Sequence, residues 1–139
     1  MKKITSKFKG GFIVIDDDPI NNFLCETMLV NSFPKSPVKI FEDPVIAVEH
    51  LQTQPVDKAI DNTIILLDIN MPTLNGWAVL KKFANLPDEI KQHYKIFLLT
   101  SSISIKDKER AGMDPYVLGF LEKPLSDEHM EEVIKILSV

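Results

Sequence analysis

The chain has 139 residues, one domain's worth, of which 45% are apolar and 26% charged. A chain of this length buries about two thirds of its unfolded surface without disulfide or metal staples, and its composition excludes disordered, fibrous and coiled-coil classes. The net charge is −4; residues 1–11 hold Lys2, Lys3, Lys7 and Lys9 and no acid, so the other 128 carry −8, which argues against nucleic acid as a partner.

The first β-branched run, Phe12–Ile15, ends at Asp16-Asp17-Asp18-Pro19. Asp18 before Pro19 predicts a helix N-cap with proline in the first turn. Ile20, Phe23, Leu24 and Met28 follow at the spacing of one helical face. Pro34 and Pro37 end that helix, and Val38–Phe41 predicts a second strand. Asp43-Pro44 repeats the cap signal, with Val45, Ile46, Val48 and Leu51 as the next helical face. The stretch from Ile64 to Ile69 is apolar except at Asp68, the pattern of a strand buried on both faces. Asn75-Gly76 predicts a turn, and Trp77, Leu80, Phe83 and Ala84 make a helical stripe that stops near Pro87. Lys95–Thr100 predicts a fourth strand, Ser104–Gly112 a polar helix or helical turn and Val117–Leu121 a fifth strand. After Pro124, Ser126 caps a last helix, Asp127 and Glu128 suit its dipole, and Met130, Val133, Ile134 and Leu137 form its stripe.

There is no internal repeat, no low-complexity stretch and no linker between domains. The apolar runs are a few residues long where a membrane helix needs about 20. Asp16 cuts short the apolar stretch after the first lysines, so no signal peptide is expected. The single cysteine, Cys25, cannot form an internal disulfide, and a reducing cytoplasm is the expected setting. Five strands alternating with five helices predict an α/β fold: an open, doubly wound parallel sheet. Ligands bind such sheets at the carboxyl ends of the strands.

Those ends carry Asp16 and Asp17, then Asp68 with Asn70 two residues on, then Thr100 and Ser101, then Glu122-Lys123-Pro124. Three converging carboxylates repel one another and need a compensating charge. Hard oxygen donors suit Mg²⁺. Asp17 and Asp68 could bind it directly, Asp16 through water, and the Asn70 backbone carbonyl could add a neutral ligand. Lys123 and Thr100 could hold an anion beside it, which makes a site for a phosphoryl group. An aspartate can itself be the nucleophile and form an aspartyl phosphate.

Asp16-Asp17, Asp68-Ile69-Asn70-Met71-Pro72 with Gly76, Thr100-Ser101 and Lys123-Pro124 together resemble the receiver domain of two-component response regulators. The resemblance runs from about Gly11 to Val139, with residues 1–10 as a basic extension and no output domain expected in this chain. It implies a flavodoxin-like (βα)5 fold with strand order 2-1-3-4-5. It implies that Asp68 accepts a phosphoryl group from a phosphohistidine on a sensor histidine kinase or His-phosphotransfer protein. By the same resemblance Asp17 and Asp68 are direct Mg²⁺ ligands and Asp16 a water-mediated one, Thr100 and Lys123 contact the phosphoryl oxygens, and Lys123-Pro124 carries a cis bond. The family's switch position falls on Phe120, which can rotate inward but has no hydroxyl. Ser102, like Asn70, lies near the path of attacking water in the family. The implied output is a change in the face made by the fourth helix, fifth strand and fifth helix, read by a protein partner, with no membrane or nucleic acid involved. Self-phosphorylation and self-dephosphorylation are the only chemistry expected.

Competing readings are weaker. A haloacid-dehalogenase-type phosphatase needs a second aspartate two residues after the nucleophile, where this chain has Asn70. An EF-hand loop counted from Asp68 puts Thr73 where glycine is needed. A non-phosphorylated scaffold ranks below the phosphoacceptor because the site's residues are all present. His50, His93 and His129 have no metal-ligand spacing.

Overall fold

The apolar runs become the middle of a single sheet. The computed structural model describes residues 8–55, 62–101 and 104–138. Lys2, Lys3 and Lys7 of the basic extension, and Ser102, lie outside the described residues. The elements are β1 (Gly11–Ile15), α1 (Pro19–Ser32), β2 (Val38–Phe41), α2 (Pro44–Thr53), β3 (Thr63–Leu67), α3 (Gly76–Ala84), β4 (Tyr94–Thr100), α4 (Ile105–Met113), β5 (Val117–Glu122) and α5 (Asp127–Ser138). A single helical turn, Asp88–Lys91, joins α3 to β4. The five strands are parallel, in the order β2-β1-β3-β4-β5. This is the doubly wound order that the receiver-domain resemblance implies.

Every residue of β1 and β3 is buried, because these central strands are covered on both faces. Successive side chains point to opposite faces, which divides the core in two. Ile13, Ile15, Ile65, Leu67, Ile96 and Leu98 pack against α2 and α3 on one side. Phe12, Val14, Ile64, Leu66, Phe97 and Leu99 pack against α1 and α5 on the other. The helix starts follow the cap signals. Asp18 Oδ1 accepts from the Ile20 N–H at 3.0 Å and Asp43 Oδ1 from the Val45 N–H at 2.9 Å, each with proline next in sequence. Ser126 Oγ accepts from the His129 N–H while His129 Nδ1 accepts from the Ser126 N–H, both at 3.2 Å, a reciprocal cap. Among the described residues no helix is long and apolar enough to cross a membrane.

The faces of α1 and α2 depart from expectation. Ile20, Phe23 and Leu24 are 72%, 67% and 51% exposed. The buried face of α1 is instead Asn21, Asn22, Cys25 and Leu29. The reason is polar: the Asn21 amide donates to Asp16 Oδ2 and the Asn22 amide to the Asp16 backbone carbonyl, both at 2.8 Å. A buried carboxylate needs donors more than the helix needs three extra apolar contacts. In α2, Val48 and Leu51 are buried with Ala47, but Val45 and Ile46 face outward. Urea denaturation checks the α1 assignment. Leu29→Ala should cost about 2–5 kcal/mol, while Phe23→Ser should stay within about 0.5 kcal/mol of wild type.

Candidate functional site

Parallel pairing lines up the strand ends. Ile15 pairs with Leu67 across β1 and β3, Leu67 with Leu98, and Thr100 with Glu122. The Asp68 N–H donates to the Ile15 carbonyl at 3.0 Å, and the Asp16 N–H to the Phe41 carbonyl at 3.1 Å. Two carboxylates are thereby fixed just past the sheet edge. Asp16 is 1% and Asp68 5% exposed, whereas Asp17 faces solvent. Ligand oxygens of the three lie within 4.8 Å of one another.

Lys123 enters this cluster from the end of β5. Its backbone N–H donates to the Thr100 carbonyl at 2.9 Å, and the peptide bond to Pro124 is cis. Its Nζ lies 2.6 Å from Asp16 Oδ2 and 3.3 Å from Asp68 Oδ2. The Asn70 N–H donates to Asp68 Oδ1 at 3.0 Å. The Asn70 side-chain amide donates to the hydroxyl of fully buried Thr100 at 3.1 Å. Burial pushes the Asp16 carboxyl above its usual value, and the Asp68 charge adds to that; the hydrogen bonds from Lys123 and the Asp18 N–H pull it back only in part. Burial alone would lower the Lys123 ammonium, but Asp16 and then Asp68 outweigh it and leave it raised.

Three formal carboxylates therefore face one ammonium. Such an all-oxygen set, with an excess of negative charge, fits a hard divalent cation. Both carboxylate oxygens of Asp16 are already engaged: Oδ1 accepts from the Asp18 N–H at 2.9 Å, and Oδ2 accepts from both Asn21 and Lys123. Asp17 and Asp68 each offer an oxygen to the same cluster, and the Asp68 oxygens are also engaged, by the Asn70 N–H and by Lys123.

Residues 12–135 match the family model described as response regulator receiver domain. The chain belongs to the receiver-domain family. A receiver protein from Dyadobacter fermentans is 31% identical, with a TM-score of 0.81 over 90% of this chain and 94% of that one. A two-component response regulator from Cytophaga hutchinsonii is 25% identical, with a TM-score of 0.80 over 96% of this chain and 100% of that one. Among curated proteins, the Fimbriae Z protein of Salmonella typhimurium is 30% identical over 89 residues, 64% of this chain and 38% of its own length. A probable cyclic di-GMP phosphodiesterase of Vibrio cholerae is 25% identical over 114 residues, 82% of this chain and 23% of its own length. The chain thus spans well under half the length of the curated relatives it matches.

In this receiver domain Asp16, Asp17, Asp68, Asn70, Thr100 and Lys123 form one connected group. Phe120 stands outside it: the ring is 39% exposed, with Lys108 Nζ 5.5 Å from its centroid. Together they line a cleft of about 210 Å³ with His129 and Glu132 of α5. Trp77 is half-buried, with the Arg110 guanidinium 4.4 Å from its ring centroid. Cys25 is buried, and burial and the Asp16 charge push its thiol up to about 11. Sequence reasoning missed Asn21 and Asn22, whose one signal was a polar pair set one turn after an acidic strand end. It also missed the Asn70 side-chain bond to Thr100.

Gly76 of the receiver motif has a steric reason. A Cβ there would fall 2.7 Å from the Asp68 carbonyl oxygen and 2.7 Å from Ile69 Cα. The helix start of α3 therefore packs directly on the backbone that carries Asp68. Gly76→Ala should destabilise the domain by about 1–3 kcal/mol in urea titrations, since backbone rather than a flexible side chain must give way.

Proposed function

We propose that Asp68 accepts a phosphoryl group from a phosphohistidine on a sensor histidine kinase or His-phosphotransfer protein. We further propose that the α4–β5–α5 face passes the signal to a protein partner. The observation that carries this is a buried carboxylate at a strand end, held by the Asn70 N–H at 3.0 Å, with an ammonium 3.3 Å away. Asp17 and Asp68 would hold Mg²⁺ directly, the Asn70 carbonyl would add a neutral ligand, and Asp16 would act through water. When bound, Mg²⁺ would offset the carboxylate repulsion and the charge on the incoming phosphoryl oxygens.

The chain's own residues do the rest. The Asn70 N–H orients the Asp68 carboxylate for attack on phosphorus. One P–O bond forms as the donor's P–N bond breaks. Lys123 and the Thr100 hydroxyl then face the new phosphoryl oxygens and stabilise them. A Thr100 hydroxyl drawn toward Asp68 strains its bond from Asn70 and frees space next to β5. Phe120 packing inward would give up its Lys108 contact and reshape the cleft between α4 and α5. This is a population shift driven by differential contacts to one phosphoryl group.

The donor has to bring its histidine to Asp68, so its surface covers the start of α1. There Ile20, Phe23 and Leu24 expose an apolar patch beside Asp17. Intact-mass measurement tests the reading with two donors, acetyl phosphate and a phosphorylated His-phosphotransfer protein. Wild type should gain one phosphoryl group in Mg²⁺, and Asp68→Asn should gain none from either donor. Phe23→Glu should slow uptake from the protein about tenfold or more yet leave acetyl phosphate uptake within about twofold of wild type. An adduct that persists in Asp68→Asn would refute the assignment of the acceptor.

A further inference from the structure

Asp16 Oδ2 accepts two hydrogen bonds, one from Lys123 Nζ at 2.6 Å and one from Asn21 Nδ2 at 2.8 Å. Asn21 is 6% exposed and sits in the first turn of α1. Its amide also reaches the Cys25 sulfur at 3.6 Å, one helical turn on, which fixes its orientation. Asn22 is similarly buried, at 4% exposed, but its amide donates to the Asp16 backbone carbonyl. One asparagine holds the chain and the other serves the charge.

Lys123 is shared unequally, 2.6 Å from Asp16 and 3.3 Å from Asp68. To meet a phosphoryl group on Asp68, the ammonium has to loosen its hold on Asp16. A buried carboxylate oxygen left without a donor carries a heavy desolvation cost. Asn21 supplies a neutral donor to that same oxygen, and the Asp18 N–H at 2.9 Å keeps the other one satisfied. We propose that Asn21 is a positioning residue: its bond to Asp16 Oδ2 lets Lys123 transfer from Asp16 to the phosphoryl oxygens on Asp68. This rests on the phosphoacceptor reading above, and the two can fail separately.

A double-mutant cycle in metal-free urea unfolding tests the shared oxygen directly. Asn21→Leu keeps the volume and removes the donor, Asn21→Ala serves as a second variant, and Lys123→Met removes the ammonium. The double variant's unfolding constant should exceed the product of the two single effects by about tenfold, the size of one hydrogen bond to a charged group. Asn22→Ala with Lys123→Met should multiply within about twofold, since Asn22 does not touch the carboxylate. An Asn21–Lys123 product within twofold would overturn the proposal. Beryllofluoride with Mg²⁺, a phosphoryl mimic, then tests the transfer. Asn21→Leu should bind it about tenfold more weakly than wild type, and equal affinity would overturn the proposal. If wild type itself takes up no beryllofluoride, the phosphoacceptor reading fails, and the unfolding cycle still decides whether Asn21 and Lys123 share Asp16.

Discussion

Two buried carboxylates share one ammonium, and most of the molecule is arranged around that imbalance. Asp16 and Asp68 are almost fully buried, and Lys123 reaches both from across the site. Asp17 adds a third formal charge within 4.8 Å. Charges so placed are costly unless hydrogen-bonded and paired. The chain responds with donors: backbone N–H groups of Asp18 and Asn70, and the Asn21 amide. Among the described residues, Lys123 is the cation paired with Asp16 and Asp68. A site left short of positive charge is one that a divalent cation would relieve.

The topology explains how so few residues achieve this. In the order β2-β1-β3-β4-β5, β1 and β3 are neighbours whose connecting helices cover opposite faces. The crevice at their carboxyl ends is left open between the helices. Gly76 lets α3 start against the backbone of Asp68 and Ile69, so the strand end that carries Asp68 is clamped rather than loose. On the other face, α1 turns its asparagines toward Asp16, and that rotation sends Ile20, Phe23 and Leu24 outward. The demand of one carboxylate thus sets which face α1 shows to the outside.

The strands and caps could be read from the chain because their signals are local. Phe12–Ile15 and Ile64–Leu67 are apolar at every position, which only a strand covered on both sides explains. Asp18-Pro19 and Asp43-Pro44 carry their cap geometry in adjacent residues. Asp16, Asp17, Asp68, Thr100 and Lys123 could be named because each sits at the end of a strand run. The facing of α1 could not be read, since apolar spacing at Ile20, Phe23 and Leu24 mimics a core stripe. The competing term is a tertiary bond between Asn21 and a carboxylate five residues earlier, which periodicity does not count. The closer attachment of Lys123 to Asp16 than to Asp68, and the Asn70 amide on Thr100, depend on side-chain geometry across strands. No spacing rule reports those.

The central claim is that uncompensated carboxylate charge is kept at the sheet edge for a divalent cation to relieve. Thermal melting with and without Mg²⁺, on wild type and Asp17→Asn, tests it most directly. Wild type should gain roughly 2.7 kcal/mol at a hundredfold excess of Mg²⁺ over its Kd, a rise of several degrees. Asp17→Asn should melt above wild type in the absence of the ion and respond little when it is added. A wild-type melting temperature unmoved by Mg²⁺, or an equal rise in the variant, would contradict the account.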